Sequence, residues 1–579
     1  MLKRIQSSTW FSALQLGLIG SVAAILMSLV GMVEEFARRD IISGIIEMGQ
    51  TLLLMDLLAV GFFTARRSTN NRSFLRVVEG GLAGLIVGFL LWLLVQMIPP
   101  LNLRAIFLNA SPALIRILTF GLEGASAFGT MLAAGALVGA IGAFIQILPS
   151  RYSGALIQGL SWMALLGLLQ ELLRVTLTTL PAVGNAIRWM FGAKGLSVLG
   201  AIVVFALAAG WSIMRSSQSS PLQARLRALP ARGQQAIRWT SIALVVAILF
   251  TLPRVLGLYL SEVTNSVGLY ILMGLGLNIV VGFAGLLDLG YVAFFAIGAY
   301  VMGVLTTSAI GPAAGQIVYG PQMSFWAALP IAVLVSVIAG VVLGIPVLNI
   351  RGDYLAIVTL GFGEIIRILA ISDFLKPYIG GSQGIVQVGR GNIGQIIINT
   401  PQTLYYVIIA AILVAAFISW RLRDSRIGRA WKALREDEDV AQAMGIHLVS
   451  TKLMAFATGA AFAGLSGAIF ASKIGSIYPH SFKLLVSINV LALIIVGGMG
   501  SLPGVFVGAL LVFGLPELLR EFSEYRLLVY GALLVVMMLT RPEGFIPEAT
   551  RRQELHEEIG AEGELLPESP PPQEEISPG

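Results

Sequence analysis

This sequence predicts an all-α, polytopic membrane protein with about 13 to 16 transmembrane helices. Three observations carry that prediction. Of the 579 residues, 56% are hydrophobic and only 12% are charged, about half the charge of an ordinary soluble protein. The mean hydropathy is +0.86, and a water-soluble fold of this length would have nowhere to hide so many apolar side chains. The apolar residues also fall into runs of roughly 20, the length that a hydrocarbon core about 30 Å thick demands. A cytosolic enzyme, a disulfide-rich secreted domain and a disordered scaffold are excluded together. The absence of Cys removes thiolate metal sites, iron–sulfur clusters and cysteine nucleophiles. His447, His480 and His556 stand far apart without paired spacing, so neither a metal nor any other cofactor is expected.

The runs, in order, are 10–33, 41–64, 77–98, 124–148, 154–173, 196–214, 239–260, 266–284, 285–308, 324–348, 352–372, 404–420, 452–472, 484–500, 503–520 and 526–540. Lys3 and Arg4 precede the first run, which is too long for a signal peptide and lacks a convincing cleavage site, so an uncleaved span is expected. The stretch 104–121 is apolar but holds Pro112 and Arg116, which favours an interfacial or re-entrant helix over a crossing. Gly and Pro interrupt several runs, as in half-helices that line a pathway. Residues 215–238 contain five Arg and no acid and predict a linker. It divides an N-terminal transmembrane extension (1–214, about six spans) from a core at 239–547.

The net charge of +7 hides a division. From Glu548 onward there are nine Glu and two Arg, a net of −7, so the remainder carries 7 − (−7) = +14. That acidic, Pro-rich tail, 548–579, reads as disordered, and the basic body reads as positive-inside topology, not nucleic-acid binding. The basic stretches are the N-terminus, 65–76, 215–238, 421–452 and the segment after Arg541. An even number of runs separates each from the next, so all five fit one face, with both termini cytoplasmic.

No Walker A pattern appears, so the chain cannot cradle ATP phosphates by itself. Ser/His/Asp and HExxH arrangements are also missing. Gly80, Gly84 and Gly88, and Gly135 and Gly139, have the four-residue spacing of closely packed helices. Arg351-Gly352-Asp353 reads as a turn between spans. Glu47, Asp56, Glu123, Glu171, Asp288, Glu364 and Arg367 fall inside predicted spans, where an ionisable group is a site candidate by default. Glu364 and Arg367, three apart, can pair on one helical face, which favours a structural role. Asp288 has no local partner; it either caps a helix start or lines the pathway.

The segment 421–452, RLRDSRIGRAWKALREDEDVAQAMGIHLVSTK, has basic residues suited to an inner membrane surface, then an acidic run, Glu436 to Asp439, and then the small residues Ala441, Ala443 and Gly445. Acids suit a helix start, and small residues let a partner approach the backbone. The alternative is a solvated loop of amphipathic helices.

At these residues a family comes into view. Asp439-Val440-Ala441-xxx-Gly445 resembles a degenerate EAA-xxx-G loop of ABC importer permeases. YILMGLGLNIVVGFAGLLDLGYVAFFAIGAY at 270–300 resembles the signature of branched-chain amino acid permeases of the LivM type. The likeness continues through RGDYLAIVTLGFGEIIRI at 351–368, GGSQGI at 380–385, residues 425–471, VGGMGSLPGVFVGA at 496–509 and RPEGFIP at 541–547. The resemblance implies an importer of leucine, isoleucine or valine in a bacterial-type cytoplasmic membrane. Its parts are this non-enzymatic permease, a second related permease, two cytoplasmic ABC ATPase subunits and an extracytoplasmic amino-acid-binding protein. It also implies that Arg429, Glu438, Asp439, Ala441 and Gly445 belong to the ATPase-coupling loop, with Asp439, Ala441 and Gly445 at the contact. Asn278, Gly282, Gly285, Asp288, Glu364 and Arg367 remain pathway or structural candidates. The hydrophobic extension and the acidic tail depart from the family pattern. The competing reading is an ion-coupled secondary transporter, which would need no cytoplasmic docking loop.

Overall fold

The computed structural model describes residues 9–68, 70, 72–171, 173–174, 188–192, 194–218, 231–308, 321–347, 350, 352–393, 396–518, 520, 526–541 and 543–547. The predicted tail at 548–579 and the middle of the predicted linker lie outside them. At the linker's flanks, residues 215–218 and 231–238 are helical. The chain separates into two compact units, Met1–Thr251 and Leu252–Gly579.

The first unit is built from α1 (Thr9–Val30), α2 (Met48–Arg67), α3 (Ser73–Met97), the short α4 (Pro112–Leu118), α5 (Gly124–Ile147), α6 (Ser150–Leu168) and α7 (Val198–Gln218). The packing of α3 against α5 follows from glycine. A Cβ on Gly84 would run into the carbonyl oxygen of Gly135, and one on Gly135 into that of Gly84. A Cβ on Gly139 would stand 2.5 Å from the Gly80 carbonyl oxygen. In lipid no hydrophobic effect pushes helices together, so backbone-to-backbone approach is what supplies the contact. The stretch 104–121 forms a 3-10 turn and α4. Seven residues of helix rise only about 10 Å, too little to cross. The predicted span 41–64 starts late because 40–47 is a hairpin: β1 (Asp40–Ile42) pairs with β2 (Ile46–Glu47). Asp40 Oδ2 accepts from the Gly44 amide at 2.9 Å, and Gly44 has φ +75°.

The second unit begins within α8 (Ala231–Leu277), which Gly257 breaks at φ 70°. A π-helical turn, Asn278–Phe283, ends it. Then come a loop at 284–291, α9 (Val292–Thr306), α10 (Phe325–Val347), α11 (Asp353–Ile371), α12 (Pro401–Arg423), α13 (Arg426–Glu436), α14 (Glu438–Ala443), α15 (Leu448–Ile474) and α16 (Leu484–Gly497). The last two are α17 (Leu502–Ala509), prolonged by a π-turn and a short helix to Leu518, and α18 (Arg526–Thr540). Gly352 has φ 60° and is the N-cap residue of α11.

Contacts sort the segments of this unit to two ends. At one end the Thr306 hydroxyl accepts from Gly389 at 3.1 Å, Ser308 reaches Gln387, and Lys473 Nζ bonds Glu262 at 2.9 Å and Ser266 at 2.8 Å. The strands Ile385–Val386 and Ser476–Ile477 pair there. The opposite, basic end gathers 282–285, 423–448, 497–501 and 544–546, as detailed below.

Ten helices among the described residues are long and apolar enough to cross a membrane, with four shorter apolar helices beside them. Several of the sixteen predicted runs do not stand as separate long apolar helices among the described residues. One long apolar stretch, Val246–Phe283, covers both 239–260 and 266–284. Ser150–Leu168 holds Arg151, Gln158 and three Ser, which lowers its hydropathy. The run 285–308 opens with a loop, which leaves only the fifteen residues of α9 as helix.

Candidate functional site

At the basic end, α13 and α14 form a corner between α12 and α15. Ser425 caps α13, accepting from Gly428 N at 3.2 Å while donating to the Leu422 carbonyl at 2.7 Å. Gly428, Trp431 and Leu434 repeat every three residues and face inward. Trp431 is fully buried and donates its indole N–H to the Thr451 carbonyl at 2.9 Å. Arg429 Nη1 donates to the Asp424 carbonyl at 3.2 Å and so ties the turn after α12. The Arg423 guanidinium beside Asp424 holds that carboxyl below the usual carboxylate range.

The acidic run starts α14 as expected. Asp437 is its N-cap, accepting from Asp439 N at 2.8 Å and Val440 N at 2.9 Å. Glu438, in the first turn, bonds Lys452 Nζ at 2.9 Å, and the Lys452 side chain is only 1% exposed. Gly445 takes φ +86° and closes α14 in a Schellman motif, with Ile446 N on Ala441 O and Gly445 N on Gln442 O. Ala441 is 2% exposed and packs inside the chain's own fold. Its side chain faces inward, and the neighbours Asp439 and Val440 face outward. The apolar side chains that the corner presents outward are Val440 at 59% and Met444 at 79% exposure, residues that a motif-based reading passes over.

Beside the corner lies the broken end of α8. Asn278 is buried and its Oδ1 accepts from Gly500 N at 2.9 Å. A Cβ on Gly282 would strike that Oδ1 and approach Gly500 N to 2.7 Å. The turn that holds Gly500 is braced by the RPEGFIP block, as Phe545 N and Ile546 N bond Val496 O and Gly497 O at 2.9 and 3.0 Å. In the loop, Asp288 is fully buried; Oδ1 accepts from Gly290 N at 2.9 Å, the local bond of an Asx-turn that leads into α9. Leu289 N donates to Thr359 Oγ1, Val292 N to Ser487 Oγ and Tyr291 Oη to Gly459 O, at 2.9 to 3.0 Å. Among the described residues, Asn278 Nδ2 and Asp288 Oδ2 are buried and have no hydrogen-bond partner.

The family described as "Branched-chain amino acid transport system / permease component" matches residues 259–538. The high-affinity branched-chain amino acid transport system permease protein LivM of Escherichia coli K12 is 40% identical, an alignment that covers 52% of this chain and 73% of that protein. The chain belongs to the branched-chain amino acid permease family. The LivM protein of Salmonella typhimurium LT2 is likewise 40% identical over 49% of this chain and 69% of its own length. The LivH permease of the same strain is 28% identical over 50% of this chain and 95% of its own length. No solved structure matches.

In this permease Asn278, Gly282 and Gly285 come together with Gly500 and the α13–α14 corner at one end of the second unit, while Asp288 sits against Gly290, next to Leu289, which bonds Thr359 of α11. Glu364 and Arg367 do not join them. Arg367 Nε contacts both Glu364 oxygens, at 3.0 and 2.9 Å, and both side chains are partly exposed on α11. Three of the permease's predicted intramembrane acids lie at helix ends. Glu47 and Glu123 are the N-cap residues of α2 and α5, and Glu171, beyond α6, bonds Arg39 at 2.6 Å. Asp56 does lie within α2, and its Oδ2 is buried without a partner. Glu79, absent from the predicted candidates, is 1% exposed and accepts from Asn70 Nδ2 at 2.5 Å.

Proposed function

We propose that this chain is the transmembrane permease subunit of an ATP-binding-cassette importer for branched-chain amino acids. The observation that carries the reading is the 40% identity to LivM across 73% of that protein. A multi-pass chain without a nucleotide-binding sequence borrows its drive. Two cytoplasmic ATPases supply it through the α13–α14 corner, a second related permease completes the path, and an extracytoplasmic binding protein delivers the amino acid. Val440, Met444 and Gly445 meet the ATPase together with the exposed Asp439 and Arg429, while the Glu438–Lys452 pair shapes the surface from within. The basic end and both termini are cytoplasmic, since Arg421, Arg423, Arg426, Arg429 and Lys432 cluster there. ATP-driven closure of the partners shifts the path between outward and inward access. An ion-coupled mechanism would leave the corner without a task.

The extension before the linker is an accessory module. Its apolar cavity of about 400 Å³ is lined by residues such as Ile41, Met55, Phe62 and Ile157, with no charged side chain, and so offers nothing to pair with an amino acid's ammonium and carboxylate groups.

Reconstituted in lipid with the ATPases, the second permease and the binding protein, the chain should support leucine-stimulated ATP hydrolysis. Uptake that follows an ion gradient and proceeds without ATP would sink the reading. Gly445→Ala should lower uptake several-fold while insertion stays normal, because a Cβ at φ +86° costs about 1–2 kcal/mol and loosens the corner. Gly445→Asn, which tolerates the left-handed region, should retain most uptake. Equal rates in the two variants would separate the cap from function.

A further inference from the structure

We propose that Arg435 is the positioning residue that transmits movement of the α13–α14 corner to the broken end of α8. This rests on the importer reading and extends it to a named strut. Arg435 sits in the last turn of α13. Its Nη1 donates to the carbonyl oxygen of Gly282, 2.9 Å away and 153 residues earlier in the chain. Gly282 lies inside the π-turn. The arginine stem fills the space left by the missing Cβ of Gly285, where an added carbon would stand 2.7 Å from Arg435 Cγ. The other edge of the guanidinium is held by Glu436 Oε1, at 2.9 Å from Nη2 and 3.2 Å from Nε. With the side chain only 20% exposed, the planar fork is fixed at both edges: to Glu436 of the corner and to the carbonyl of the broken helix.

Gly282 is in turn backed by the Asn278–Gly500 contact, and the chain runs on through Gly285 to Asp288. A shift of α13 therefore pulls on a segment that holds two buried, unpartnered polar atoms, Asn278 Nδ2 and Asp288 Oδ2. A segment in that condition gains hydrogen bonds if a second arrangement satisfies them, which is the property a switching element needs.

The test uses the full importer in lipid with its ATPases, second permease and binding protein. Arg435→Ala should leave ATPase co-purification and basal hydrolysis unchanged, since the nucleotide sites are on other chains. Substrate-stimulated hydrolysis and uptake should both fall about tenfold. Arg435→Met, which keeps the stem and loses the donor, should behave like Arg435→Ala. Arg435→Lys should recover part of the stimulation, because an ammonium donates to Gly282 without the fork. Stimulation and uptake at the unsubstituted level in Arg435→Ala would overturn the proposal. So would loss of ATPase binding in both the Ala and Met variants, which would make Arg435 a folding residue. If the unsubstituted importer shows no binding-protein-stimulated hydrolysis, the importer reading falls and takes this proposal with it.

Discussion

Lys452→Met should destabilise the corner by about 3 kcal/mol, because it takes the ammonium away from the partly buried Glu438 carboxylate and leaves a fully buried site built for a cation. The Lys452 side chain is 1% exposed and Glu438 19%, so water replaces the lost partner only in part. The two residues stand fourteen apart and tie α14 to the start of α15, so the single change should also loosen Trp431, whose indole bonds Thr451. Replacing both members, Lys452→Met with Glu438→Leu, should restore most of the melting temperature, since a buried pair exchanged for apolar groups of similar size is often neutral. Thermal unfolding in detergent reads both variants. Equal melting of single and double variants would refute the burial argument.

Gly290→Ala should cost a comparable amount and sharply reduce the permease accumulated in the membrane. A Cβ there lands on the carbonyl oxygen of Thr359, on a stretch of α11 whose Gly363 already faces Gly290. Neither backbone can retreat without breaking the Leu289–Thr359 and Gly290–Asp288 hydrogen bonds, so the overlap falls at the upper end of overpacking costs, about 3 kcal/mol. Gly361 is the control: a Cβ there meets nothing within 4 Å, and Gly361→Ala should accumulate normally. If both variants reach the same level, the close approach of loop and helix is not what holds this end together.

The parts of this architecture that were legible in the sequence are those that lipid dictates locally. Apolar runs mark most helices because each must satisfy its backbone within itself. The glycines of α3 and α5 declare their contact by spacing, and Asp437 to Asp439 declare a helix start. The loop at 284–291 escaped because GLLDLGY is as apolar as a span, and what holds it open are bonds from Thr359, Ser487 and Gly459, far away in the chain. The inward turn of Ala441 was hidden for a similar reason: a six-residue helix is too short for periodicity to orient it. Arg435 looked like any arginine of a basic amphipathic helix, since its partner lies 153 residues away.

The Asn278–Gly500 contact also sets a clock on biosynthesis. Its two residues are 222 positions apart, and translation proceeds at about 5–20 residues per second. Roughly 10 to 45 seconds therefore pass between the emergence of Asn278 and that of the amide that completes it. During that interval the polar break in α8 is already committed to the bilayer while its partner is still unmade. The growing chain thus carries this polar break without its partner through that interval, and the machinery that holds nascent membrane segments must shelter it until Gly500 arrives.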